Sequence, residues 1–288
     1  MNPLLISGFG TSITVDKRRL VISDKKGERL EFYPHQIDHD SIIIDGHTGN
    51  ISFEAIRWLS KHDINVTVLN WNGNLLACIN PKEPNNGRLR TKQYAKYSDD
   101  DARYMIAFKI IEEKVRQSHN LLKELSPYYQ GIDLEAFEKA IEAEKPHYNP
   151  NDKRKAKDRL NSLLQYEGKI AALYWEYLAK VFNHLYPEFN YQNRRNKSYS
   201  WNMNASDEIN ALLNYGYAIL ESQIRKAINS VGLDMSVGFL HETSSGKTPL
   251  VYDLQELYRW LIDLSVIQLL EEKKLGKKDF TTTENYHI

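Results

Sequence analysis

The hydrophobic pattern of this chain changes period near Gly87, so the fold must join two kinds of secondary structure. Before that point the apolar residues come in short β-branched runs. Strands are predicted at Ser12–Val15, Leu20–Ser23, Leu30–Tyr33, Ser41–Asp45, Asn65–Leu69 and Asn74–Ile79. Asp24-Lys25-Lys26-Gly27 separates the second and third runs, and Asn70-Trp71-Asn72-Gly73 joins the last two. The Asn-Gly step there is the expected signal of a tight hairpin. One helix interrupts the series from Ile51 to about Lys61, with Phe53, Ile56 and Leu59 on one face. Asn80-Pro81-Lys82-Glu83-Pro84-Asn85-Asn86-Gly87 then has the composition of a linker.

After Gly87 the chain reads as mainly helical. Ser98-Asp99-Asp100-Asp101 caps a long helix carrying Ala102, Met105, Ile106, Ile110 and Val115, and its acids suit the positive end of the helix dipole. Further helices are predicted at about Asp133–Glu144, Asp152–Leu185 and Ser206–Ser230. Asn190–Asn204 is rich in Asn and Arg and reads as a loop. Pro249 suits the first turn of a last major helix reaching Lys274. The fold class is therefore α+β: a small N-terminal β-domain (1–80), a linker (81–90) and a larger all-α helical domain (91–288).

Composition narrows the function by exclusion. No apolar run approaches the roughly 18 residues that span a bilayer, so no membrane association is expected. The start, Met-Asn-Pro-Leu-Leu-Ile-Ser-Gly, lacks the basic stretch and apolar core of a secretory signal. The single cysteine, Cys78, excludes an internal disulfide framework and a cysteine-based zinc site, and a reducing, cytoplasmic setting is expected. Net charge is zero, from 38 basic and 38 acidic residues, without the basic excess usual in nucleic-acid binders. Basic residues do cluster at Lys153-Arg154-Lys155 with Lys157 and Arg159, and at Arg194-Arg195 with Lys197. From charge alone, a solvated helix face and a polar loop are the preferred account of these clusters.

Acids fall where apolar residues should be. Leu160, Leu164, Ala171, Tyr174, Leu178 and Val181 alternate by four and three, and position 167 of that stripe is a glutamate. A carboxylate facing a helix interface is costly unless paired or bound to a cation. In the last helix Asp253 and Glu256 are three apart on one face, which Trp260, Asp263 and Ile267 continue, beside an apolar row of Leu254, Leu257, Leu261 and Leu264. Buried salt bridges or a solvated acidic face explain these acids as readily as a shared hard cation does. His241 follows the apolar run Val237-Gly238-Phe239-Leu240 and precedes the polar loop Glu242–Thr248. With Glu167 and the two acids of the last helix it forms a carboxylate–imidazole set suited to Mn²⁺ or Mg²⁺, Mn²⁺ tolerating the imidazole better. Ser245-Gly246-Lys247-Thr248 resembles the end of a phosphate-binding P-loop, but His241 stands where the motif requires its first glycine. No Gly-x-Ser-x-Gly nucleophile elbow and no thiol-protease motif is present.

Five segments, taken in order, resemble the CRISPR-associated integrase of spacer acquisition, the Cas-one family. They are Tyr166-Glu167-Gly168, Ala171-Ala172-Leu173-Tyr174-Trp175, Asn210–Tyr217, Val237–His241 and Leu250–Arg259, with Asp263 beyond. Asp45-Gly46-His47 through Leu69 fits the family's β-domain. The resemblance implies that Glu167, His241 and Glu256 are metal ligands, that Asp253 is a neighbouring acid shaping the site, and that Arg194 and Arg195 contact DNA. It also implies homodimers formed through the β-domains, with two dimers clamping a second small protein, Cas-two. Family members commonly continue with further helical residues after a segment like Asp279-Phe280, whereas this chain ends at Ile288.

The implied reaction is transesterification on double-stranded or branched DNA, a 3′-hydroxyl attacking a phosphodiester in line. The same core serves casposon transposases, which usually append a DNA-binding extension not found here. A metal-dependent repair nuclease would carry the same core, and a non-catalytic DNA-binding scaffold is the alternative from outside enzymology.

Overall fold

The computed structural model describes residues 2–25, 27–46, 48–70, 73–81, 86–146, 154, 156–194, 205 and 207–280. The chain forms two compact units: Met1–Asn86 with Glu221–Gly232, and Gly87–Leu220 with Leu233–Ile288.

All described strands lie in the first unit, which holds β1 (Pro3–Ser7), β2 (Thr11–Asp16), β3 (Arg19–Ser23), β4 (Arg29–Phe32), β5 (Ser41–Asp45), β6 (Gly49–Ile51), β7 (Asn65–Leu69) and β8 (Leu75–Ile79). They form two four-stranded sheets, ordered β1-β5-β7-β8 and β4-β3-β2-β6. In the first, β1, β5 and β7 run parallel, with Leu4 opposite Ile42 and Ile42 opposite Val66, and β8 closes the edge antiparallel. The crossover into β7 carries α1 (Phe53–Lys61), whose N-cap Ser52 accepts a hydrogen bond from the Ala55 amide at 3.1 Å. Its inner face is Ala55, Trp58 and Leu59, packed with Ile13, Leu20, Ile42 and Val66. Phe53 departs from expectation and is 76% exposed, because the helix begins two residues later than expected, with Ser52 as its cap and Phe53 as its first residue.

Two strands have no signature in the pattern. β1 opens on a proline, which suits the first residue of an edge strand. β6 is only three residues, pairing parallel with β2, and a Cβ on Gly49 would lie 2.3 Å from the Thr11 carbonyl oxygen.

The last turns of α6 (Glu208–Val231) belong to this first unit. There Gln223 Nε2 donates to Ser41 Oγ at 3.1 Å and Lys226 pairs with Asp40 at 3.3 Å.

The second unit is helical: α2 (Gly87–Ser98), α3 (Asp100–Leu125), α4 (Leu134–Glu144), α5 (Ala156–Leu185), most of α6, α7 (Pro249–Gln255) and α8 (Arg259–Glu271). Positions 87–90, expected as linker, are the first turn of α2. Asp99 caps α3 as its sequence suggested, accepting from the Asp101 and Ala102 amides, and Asp133 caps α4 in the same way. The core lies between α3 and α5, where Ala107, Ile111 and Leu122 meet Leu163, Leu178 and Phe182. The buried face of α5 is Leu160, Leu163, Tyr166, Ile170, Tyr174 and Leu178, so Leu164 turns outward and is 38% exposed. The predicted last helix is two helices, broken at Glu256–Tyr258. In α8, Asp263, Val266, Ile267 and Leu270 face the core while Leu261 points out. Among the described residues no helix is long and apolar enough to cross a membrane.

The Asp40–Lys226 pair makes the first unit sensitive to acid. Burial tends to push the Asp40 carboxyl up, but Lys226, the Asn2 amide and the Ser41 hydroxyl together hold it below the usual aspartate range. A lowered folded pKa contributes stability above the unfolded value and loses it as pH falls through the folded one. Asp40→Asn is therefore expected to melt below wild type at about pH 7. The gap should close as pH falls below about 3.9, the ordinary aspartate value, in thermal melts followed by circular dichroism.

Candidate metal-binding active site

The site is assembled around a carboxylate that no solvent reaches. Asp253, on α7, is fully buried. Its Oδ2 accepts the amides of Phe239 and Leu240, the latter at 3.0 Å. Its Oδ1 accepts the His241 amide at 3.0 Å and His241 Nδ1 at 2.7 Å. The run Val237–His241 thus wraps one side chain of the helix that follows it. Gly238 is required for this wrap, since a Cβ there would lie 2.8 Å from Asp253 Oδ2 and from the Pro249 carbonyl carbon.

The same run is pinned from the other side. Gln93 of α2 donates to the carbonyls of Asp234 and Val237 at 2.9 and 2.8 Å. Arg103 of α3 donates to the Phe239 carbonyl at 3.1 Å, pairs with Glu242 at 3.2 Å and stacks on Tyr97. His241 therefore projects from a fixed backbone. Its Nδ1–H is committed to Asp253, which leaves Nε2 with the lone pair in the neutral ring. The hydrogen bond to Asp253 raises the imidazole pKa above its ordinary value, against the opposing effect of burial.

Glu167, on α5, and Glu256, at the C-terminal cap of α7, face the same cavity of 640 Å³ as His241. Both carboxylates reach one ammonium, that of Lys114 on α3. Lys114 Nζ donates to Glu167 Oε1 and lies 2.6 Å from Glu256 Oε2. Glu256 Oε1 is 3.5 Å from Arg259 Nη1. Burial would push the Glu256 carboxyl up, yet Lys114 and Arg259 hold it below the usual glutamate range.

The cavity wall carries further charge. Asp263 on α8 accepts the hydroxyls of Tyr217 and Tyr174, the latter at 2.7 Å, and burial pushes its carboxyl up despite those bonds. Arg259 lies 4.2 Å over the Tyr217 ring. Arg194 is half-buried, its guanidinium donating to Asn210 and Asn214 at 2.8 and 2.7 Å. It forms part of the wall rather than an extended arm. Arg195 lies outside the described residues.

The structure thus brings Glu167, His241 and Glu256 to one cavity and gives Asp253 to the backbone. Asp253 and Glu256 share no cation: the four acceptor contacts of Asp253 are all used on 239–241. Among the described residues no three His, Cys, Asp or Glu side chains converge closely enough to ligate an ion as they stand. The donor set itself fits a divalent cation: two carboxylates that already converge on one positive charge, and an imidazole with Nε2 available. Lys114 was not expected. It was legible in principle, because Ala107, Ile111, Lys114, Ser118 and Leu121 follow a four-three alternation that puts a lysine in the core stripe of α3.

A cavity with acidic and imidazole ligands inside and arginines at its wall can hold a cation and the phosphate that the cation neutralises. Residues 4–288 match the family model described as CRISPR associated protein Cas1, and the chain belongs to that family. It is 29% identical over 283 residues to CRISPR-associated endonuclease Cas1 1 of Archaeoglobus fulgidus, covering 96% of this chain and 80% of that protein. Among solved structures it is similar to a casposase bound to integration product, with TM-score 0.85 and 39% identity over 100% of this chain and 77% of that one. A Cas1 protein from Thermotoga maritima shares the fold, with TM-score 0.79 and 18% identity over 98% of this chain and 83% of that one.

The Asp253 cradle gives a stability prediction. Asp253→Asn replaces one acceptor oxygen with a donor facing N–H groups. The expected loss is roughly 3 kcal/mol, the scale of a buried hydrogen bond to a charged group, read from urea denaturation. A change below about 1 kcal/mol, the scale of an ordinary neutral bond, would mean the loop does not depend on this carboxylate.

Proposed function

We propose that this chain is a divalent-metal-dependent DNA integrase and endonuclease that inserts new spacer DNA into a CRISPR array by transesterification. The observation that carries the metal centre is the convergence of Glu167 and Glu256 on a single cation beside His241. Glu167, His241 and Glu256 would hold Mn²⁺ or Mg²⁺. Such an ion, when bound, supplies Lewis-acid polarisation of the phosphodiester and stabilises the charge that builds on it. Asp253 keeps the imidazole in one tautomer and orientation. Arg259 and Arg194 supply fixed positive charge at the wall, where a phosphate would otherwise meet only acids. The DNA 3′-hydroxyl forms the new bond to phosphorus, the bond to the target 3′-oxygen breaks, and that oxygen leaves with the proton. No protein nucleophile is needed.

The partners belong to the same reading. Proteins that share this fold include a TtCas1–DNA complex and a Cas6-RT-Cas1–Cas2 complex, with TM-scores of 0.60 and 0.68. For this chain we take branched or double-stranded DNA as substrate, a Cas2-type protein as partner and the cytoplasm as location. Homodimerisation through the first unit belongs to the same reading. A casposon-type integrase is the second reading, favoured by the 39% identity to the casposase.

Glu167→Ala and His241→Ala are each expected to lower strand transfer on branched DNA with Mn²⁺ by on the order of 10²-fold or more, with a cooperative melt retained. Full activity in either variant refutes the assigned ligands. Product analysis separates the rivals. Joined strands at a repeat array support spacer integration, joined strands only at transposon-type targets support the casposon reading, and cut strands alone support a nuclease.

A further inference from the structure

Among the described residues of the site, Lys114 is the cation for which the proposed chemistry has no use. Its side chain is 18% exposed, and among the described residues its ion-pair partners are Glu167 and Glu256, which come from separate elements. Lys114 lines the cavity with Ile111 and Val115 of the α3 core, and its ammonium meets the two carboxylates. Two carboxylates sharing a cavity repel each other unless a cation lies between them. Arg259 is not that bridge. It approaches Glu256 alone, at 3.5 Å, and the Tyr217 ring holds its guanidinium. A lysine is a compact charge on a flexible stem with no fork to lock it in place, so it can leave.

We propose that Lys114 is a built-in counter-ion: it holds Glu167 and Glu256 together in the metal-free protein and competes with the divalent ion for the same carboxylate oxygens. This rests on the metal-site reading above and adds a cost to metal loading, because each binding event must displace an ammonium. The benefit is a folded, ordered site before metal arrives. Removing the ammonium should therefore act in opposite directions on the two states, weakening the metal-free protein and strengthening metal binding. Strengthening the lysine's hold should do the reverse.

The test is Mn²⁺ binding to the full chain by isothermal titration calorimetry, with thermal melts with and without Mn²⁺. Lys114→Met keeps the stem and removes the charge. It should bind Mn²⁺ more tightly than wild type by on the order of tenfold or more, between the bulk-water and protein-surface scales of one charge interaction. It should also melt lower without metal and gain more on adding Mn²⁺. Lys114→Arg offers a fork that grips carboxylates more firmly and should bind Mn²⁺ more weakly than wild type. If Lys114→Met is unfolded without metal, recovery of a cooperative melt on adding Mn²⁺ supports the proposal and failure to recover overturns it. Wild-type affinity in both folded variants overturns the lysine's role while leaving the metal site standing, provided Glu167→Gln abolishes binding. Absence of Mn²⁺ binding in wild type and Lys114→Met alike overturns both.

Discussion

Asp253 holds the working end of the helical unit together. Its carboxylate is fully buried and accepts three consecutive backbone amides and an imidazole. An unpaired charge at that depth would be prohibitive, and the donors offset the cost by replacing its hydration with fixed dipoles. The geometry of everything nearby follows. The run 237–241 must curl tightly enough for successive N–H groups to point inward, which excludes a side chain at Gly238. The imidazole is oriented through Nδ1, and α7, anchored at Asp253, delivers Glu256 to the cavity three residues later. One buried charge thus sets the position of a second acid and of the histidine without touching the cavity itself.

A second buried acid repeats the device in the α8 wall. Asp263 takes two tyrosine hydroxyls, one from α5 and one from α6, so three helices meet on one carboxylate. Gly216 permits that approach, since a Cβ there would lie 2.4 Å from Ile262 Cγ2. The break at Glu256–Tyr258 then has a physical role. A continuous helix would keep Asp253, Glu256, Trp260 and Asp263 on one face. With α7 ending at Gln255 and α8 restarting at Arg259, Asp253 serves the loop while Glu256, Trp260 and Asp263 line the cavity.

That break was also the main thing the sequence could not reveal. Pro249 marks the start of the helix, but no proline or glycine marks its interruption, because tertiary demand on three acids interrupts it rather than local propensity. The strong local signals transferred well: the Asp99 cap, the helix start near Asp133, the β-branched runs at β2, β3, β5 and β7, and the change of period near Gly87. Weak signals did not. β6 is too short to show a period, and α2 has little amphipathicity to read, though its Gln93 pins the His241 loop. For the cavity, the acids were visible as intrusions in apolar stripes. They became a common set only through family resemblance, because periodicity says which face a residue occupies and never which distant helix it meets. Lys114 escaped notice for a simpler reason: lysines in helices are usually solvated, so one inside the α3 stripe attracts less suspicion than a glutamate inside that of α5.

The zero net charge of the chain, which argues against a nucleic-acid partner on composition alone, has a different meaning at the site. Lys114, Arg194 and Arg259 face Glu167, Glu176, Glu256 and Asp263 around one cavity, so its charges are nearly balanced at close range rather than absent. Balanced charges in a partly enclosed space cancel at long range and remain strong within a few ångströms. A divalent ion entering such a site would shift the local sum towards positive at the point where a phosphate must sit, leaving the protein surface unchanged. Attraction for the phosphodiester would then depend on metal loading and would be confined to the cavity, a selectivity that a uniformly basic surface cannot provide.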